Sequence, residues 1–112
     1  MAFNAILETE NSIAKITLSG DLDAKSASVF KEKIEEIAGQ NVKCLVLIVH
    51  DLKYMASAGL RVLVFAKQKM GANIDLYVVG AQKMVKETIK RSGFHHSVIM
   101  VDEYEDVKIS NI

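Results

Sequence analysis

"VKCLVLIVHDLKYMASAGLRVL", Val42 to Leu63, is the stretch on which the fold turns. Val42 to Val49 is short, rich in β-branched residues and almost continuously apolar, the pattern of a strand covered on both faces and placed in the middle of a sheet. Polar "HDLK" predicts the end of that strand. The small residues that follow open a helix, for which Leu60, Leu63, Val64 and Met70 predict a broad apolar face and Gly71 the stop. A buried strand handing over to a helix is the repeating unit of a parallel α/β sheet.

The same alternation of elements extends to both sides. Phe3, Ala5 and Leu7 alternate with polar or outward positions. After the turn "TENS", Ala14, Ile16 and Leu18 alternate with Lys15, Thr17 and Ser19, so two strands with one buried face are expected, paired as a hairpin. "GDLD" interrupts the pattern: Gly20 frees the backbone, and Asp21 or Asp23 is placed to accept from the open amides of a helix start. Ala27, Phe30, Ile34 and Ile37 recur at helical spacing, predicting a helix from Ala24 to Ala38 that Gly39 ends. Ile74 to Val79 is the next strand, and a third helix over 81–92 is expected to bury Met84, Val85 and Ile89. "SVIMV" is a short last strand and "DEYEDVKI" a terminal helix with acids in its first turn. The order β-β-α-β-α-β-α-β-α gives a mixed, mainly parallel sheet of about five strands with about four helices, joined by right-handed crossovers, the first strand antiparallel at an edge.

A chain of 112 residues makes one domain, 1–112, since two cores would each be too small to offset the entropy of ordering them. Lys plus Arg and Asp plus Glu number 14 each, which removes the positive field with which nucleic-acid binders collect phosphates, so no nucleic-acid partner is expected. The single cysteine, Cys44, lies in the apolar run and has no partner for an internal disulfide, which fits a reducing compartment and a buried, inert thiol. The N-terminal residues lack the pattern of a secretory signal, and no apolar run approaches the roughly 20 residues that cross a bilayer. A cytoplasmic protein without a membrane partner is the expectation.

Ser57 stands where functional groups of open α/β sheets gather, in the loops beyond the carboxyl ends of the strands. Serine is a favoured N-cap, worth about 1 kcal/mol, and capping alone accounts for a serine at a helix start. It does not account for the neighbours. Ala56, Ala58 and Gly59 leave the hydroxyl without bulky cover, and a glycine near a helix start costs roughly 1 kcal/mol against alanine. Capping and a surface role are compatible.

"DL", a few residues, then a small residue, Ser57, a small residue, Gly59 and Leu60 resembles the signature of the STAS domain, specifically the bacterial anti-sigma factor antagonists. "SGDLDAKSASVFKEKI" is similar to that family's second strand, acidic loop and first helix. The resemblance implies a STAS-like fold over nearly the whole chain. It also implies that Ser57 is phosphorylated by a partner anti-sigma factor that is a serine kinase. The unmodified protein then binds that partner and releases a sigma factor, and a phosphatase resets the switch. On the same resemblance Gly20, Asp21, Asp23, Ala56, Ser57, Ala58 and Gly59 form the partner-binding set, with Gly59 and Leu60 holding the helix start. Many relatives carry Asp or Ser before the acceptor, where this chain has Ala56. No enzyme activity, metal or cofactor is implied.

Three alternatives stand beside this. A hydrolase nucleophile elbow needs glycine two positions before the serine, and Met55 is there. A receiver domain would use Asp51 as phosphoacceptor, but needs an acidic pair leading into a helix where this chain has its hairpin turn, and Asp51 suits a turn or cap. A STAS module that scaffolds a transporter ATPase or a stress-signalling complex keeps the fold without the switch. His50, His95 and His96 are expected to be solvated, "FHHS" being a polar turn. Leu60, Val62 and Phe65 cannot all face the core if Leu63 and Val64 do, so part of the second helix is expected at the surface, open to a partner.

Overall fold

The structure, a computed structural model, describes residues 2–71 and 74–103. Strands β1 (Asn4–Glu10), β2 (Ile13–Leu22), β3 (Cys44–Met55), β4 (Asp75–Val79) and β5 (Ile99–Val101) form one sheet in the order β1-β2-β3-β4-β5. Only β1 runs antiparallel to its neighbour. Helices α1 (Ala24–Ala38), α2 (Ser57–Met70) and α3 (Lys83–Arg91) connect the parallel strands, and a 3-10 turn, Phe94–His96, precedes β5. The described residues therefore hold three α-helices where about four are expected. The fourth expectation falls on 102–109: Asp102 and Glu103 are bends, and from residue 104 onward it lies outside the described residues.

The hairpin closes through Asn11 and Ser12, both with positive φ (50° and 69°), the combination that matches a two-residue connection to the twist of its strands. Ala14, Ile16 and Leu18 of β2, Leu45, Leu47 and Val49 of β3, and Leu76 and Val78 of β4 meet the buried residues of all three helices in one cluster. Cys44, Val46, Tyr77 and Val79, on the alternate positions, form a second, smaller cluster, so β3 is buried on both sides as its composition requires. Burial pushes the Cys44 thiol up to about 11, so it is not a thiolate at neutral pH and packs as a small apolar residue.

Three expectations are corrected. β3 does not end at Val49 but continues through "HDLK" to Met55. Its pairing with β2 shifts register twice, Thr17↔Ile48 giving way to Ser19↔Asp51 and Gly20↔Leu52 to Asp21↔Tyr54. Each shift inserts one extra residue in β3, and such bulges erase the alternation that marks a strand. α2 buries Gly59, Val62, Leu63 and Ala66, while Leu60, Phe65 and Met70 are only partly buried, so its core face is turned from the expected one. α3 starts at Lys83 and buries only Val85 and Ile89; Met84 is 55% exposed, because a two-residue stripe at i and i+4 leaves the preceding position facing outward. Among the described residues no helix is long and apolar enough to cross a membrane.

Candidate functional site

β4 pairs with β3 only as far as Ile48, so the last part of β3 is flanked by β2 alone and extends beyond the rest of the parallel sheet. There Asp21 pairs with Tyr54 and Leu22 with Met55, and the Ala56 amide donates to the Leu22 carbonyl at 2.8 Å. Asp23 and Ala56, the next residues of each chain segment, are the N-cap positions of α1 and α2. Two helix starts are thereby fixed side by side on one edge.

Asp23 is held by a reciprocal capping box. The Ser26 amide donates to Asp23 Oδ1 at 2.9 Å, and the Asp23 amide donates to Ser26 Oγ at 2.8 Å. The Ser26 hydroxyl in turn donates to the Asp21 carbonyl at 2.8 Å. Bonding to the Ser26 amide, then to the Ser26 hydroxyl, keeps the Asp23 carboxyl below its ordinary value of 3.8. A lowered folded-state pKa stabilises the fold above 3.8, and that contribution disappears as pH falls through the folded value. Asp23→Ala is therefore expected to lower the melting temperature at neutral pH, with the gap from the parent narrowing below pH ~4; parallel thermal melts between pH 2 and 7 check this. Ser26, buried here, escaped the sequence reasoning, although Asp-x-x-Ser ahead of a helical stripe was a usable signal.

Capping, which alone would account for a serine at a helix start, is not what Ser57 does. Ala56 occupies that position without any side-chain cap, its carbonyl accepting from the Gly59 and Leu60 amides at 3.0 and 3.2 Å, and Ser57 is the first helical residue. Its side chain is exposed, and among the described residues its hydroxyl has no hydrogen-bond partner. Among the described residues this oxygen is free. Asp23 is also exposed, and Asp21, Ala56 and Ala58 are half-buried around it.

Gly20 and Gly59 are buried and shape the site from beneath. Gly20 has φ +86°, and a Cβ there would strike the Ala2 backbone. A Cβ on Gly59 would lie 2.6 Å from Leu22 Cγ and 3.3 Å from Met55 Cγ, so the missing side chain is what lets α2 rest on the ends of β2 and β3. Of the histidines, His50 and His96 are exposed and His95 half-buried.

The profile of the STAS domain family matches residues 4–108. The chain belongs to the STAS domain family. It is 25% identical over 83 residues to the anti-sigma-F factor antagonist RsfB of Mycobacterium tuberculosis, covering 74% of this chain and 68% of RsfB. An anti-sigma factor antagonist of Mycobacterium paratuberculosis superposes with a TM-score of 0.85 at 18% identity, over 94% of this STAS domain and 90% of that chain. The anti-sigma factor antagonist SpoIIAA superposes in its unphosphorylated form with a TM-score of 0.78 at 21% identity, over 93% and 91% of the two chains. Its phosphorylated form, from Bacillus, gives 0.71 at 20% identity, over 93% and 95%. The resemblance carried by "GDLD" and "SAGL" thus holds at the level of the STAS family, and the fold is the one those neighbours share.

Proposed function

We propose that this STAS domain is an anti-sigma factor antagonist, binding through the edge formed by Gly20, Asp21, Asp23, Ala56, Ser57, Ala58 and Gly59 to an anti-sigma factor that is also a serine kinase. Binding withdraws that factor from a sigma factor and so regulates transcription in the cytoplasm of a bacterium. Ser57 is the switch. Its Oγ attacks the γ-phosphorus of ATP on the partner, the bond to the bridging oxygen breaks, ADP leaves, and the hydroxyl proton passes to a base of the kinase. A phosphatase reverses the modification by hydrolysis. The protein itself acts by binding and not by catalysis, without a cofactor.

The observation that carries this proposal is the exposed, unbonded Ser57 hydroxyl at the first position of α2. A capping serine would have to give up a hydrogen bond to be modified, and among the described residues this one has none. That relatives and structural neighbours are named anti-sigma factor antagonists supports the partner class, and the two forms of SpoIIAA support a phosphorylation switch. Incubation with the cognate anti-sigma factor and ATP, followed by peptide mapping, is expected to place one phosphate on Ser57 and none on Ser57→Ala. Phosphate on another residue, or on none, overturns the switch.

Ala56 favours a second reading, a STAS scaffold for a transporter ATPase or a stress-signalling complex with no serine switch. Purification of the native complex separates the two, an anti-sigma factor kinase supporting the first and a transporter ATPase the second.

A further inference from the structure

Beside the Ser57 edge, α1 and α2 leave between them a groove of about 240 Å³. Ala27 of α1 and Ala58, Val62 and Phe65 of α2 give it an apolar floor. Lys31 and Arg61 stand on its rim, Lys31 Nζ lying 4.8 Å from the centre of the Phe65 ring. Among the described residues no carboxylate lines the groove and neither cation is in an ion pair. Glu32 and Glu35 follow Lys31 on α1 but line no part of it. In a chain whose charges cancel overall, two cations that have no ion-pair partner among the described residues and flank an apolar channel make a local positive field.

We infer that this groove receives an acidic segment of the anti-sigma factor, one apolar side chain seated on Ala27, Ala58 and Val62 between carboxylates held by Lys31 and Arg61. This is the helix-in-groove mode of recognition, in which apolar anchors supply contact and flanking charges supply register. Arg61 offers a planar fork for a carboxylate, and Lys31, braced along the Phe65 ring, a point charge. The groove is continuous with the Ser57 edge through Ala58. Arg61 is four residues after Ser57, on the same side of α2, and helical side chains lean toward the N-terminus. A phosphate on Ser57 therefore repels the incoming carboxylates and competes for the arginine that one of them needs. The inference rests on the proposed partner being an anti-sigma factor.

The test places the photo-crosslinker p-benzoyl-phenylalanine at exposed Ser28, which also lines the groove, and separately at exposed Lys25, next to Asp23. Each full-length variant is irradiated with the cognate anti-sigma factor and the adduct mapped. The expected adduct at 28 lies in a segment with at least two Asp or Glu within four residues of the crosslink. Arg61→Glu is expected to weaken binding at least tenfold at unchanged melting temperature, and reversing the mapped acid to Lys to restore it to within about threefold. A basic crosslinked segment, capture of a second copy of this chain, or an adduct at 25 with none at 28 overturns the groove, the last while leaving the anti-sigma factor assignment standing. No adduct at either position overturns both.

Discussion

Phosphoserine at position 57 is expected to raise the dissociation constant for the anti-sigma factor about 150-fold, an interface loss of about 3 kcal/mol, without unfolding the domain. Modification adds about −1.5 to −2 charges at neutral pH, together with three strong acceptor oxygens. Within the domain that charge is welcome: it sits on the first residue of α2, whose first turn carries no acidic side chain and whose cap has no side-chain bond. The helix dipole and open amides there favour an anion by roughly 0.3 to 1 kcal/mol. The melting temperature should hold or rise by a few degrees. The larger cost falls on the interface, where a dianion beside Asp23 must be desolvated against a closely fitted surface. Ser57→Asp, with half the charge and a shorter reach, is expected to weaken binding by a smaller factor, and Ser57→Ala to bind like the unmodified protein. Calorimetric titration of the four forms, with thermal melts in parallel, checks both halves. Unchanged affinity of the phosphorylated form, or loss of its cooperative melt, would sink this account.

Where local rules act alone, the sequence was legible. α1 begins and ends where its stripe, Asp23 and Gly39 place it, because capping and periodicity are properties of consecutive residues. The hairpin, the edge position of β1 and the burial of β3 on both faces followed likewise from alternation and composition. What was hidden depends on contacts between distant segments. "HDLK" is polar and irregular, and only its ladder with β2, bulged twice, shows that it is strand. The rotation of α2 is set by Gly59 against Leu22, thirty-odd residues apart, and no periodicity within the helix encodes it. Ser57 was correctly placed at the strand-to-helix junction, yet its role as a cap fell to the neighbouring alanine. The reason is that β3 continues pairing through the Ala56 amide before the chain turns. The candidate site was therefore readable as a set of residues and not as a geometry.

Filling Gly59 is expected to destabilise the domain by crowding its core. Alanine in place of glycine gains up to roughly 1 kcal/mol of helix propensity in a free helix. At position 59 the new Cβ meets Leu22 Cγ at 2.6 Å, and Leu22 is fully buried with no route of retreat into solvent. Forcing an extra carbon into a packed core costs about 1 to 3 kcal/mol, so the clash exceeds the propensity gain. Gly59→Ala should lose about 1 kcal/mol and Gly59→Val, with two more carbons and a stiff branch, about 3 kcal/mol by urea unfolding. The contact itself is isolated by a cycle with Leu22→Ala. That change alone opens a cavity costing about 2 to 5 kcal/mol, but it also removes the atoms that the new Cβ strikes. The double variant Leu22→Ala with Gly59→Ala should then be more stable than the sum of the single changes predicts by about 1 to 2 kcal/mol. Additive losses, or a Gly59→Ala variant more stable than the parent, would mean that the glycine is not there to seat α2 on the end of β2. A coupled result carries a functional consequence, because that seat is what holds Ser57 beside Asp23. Gly59→Val should slow phosphorylation of Ser57 even at temperatures where the domain remains folded, and the kinase assay at 10 °C reads that effect apart from stability.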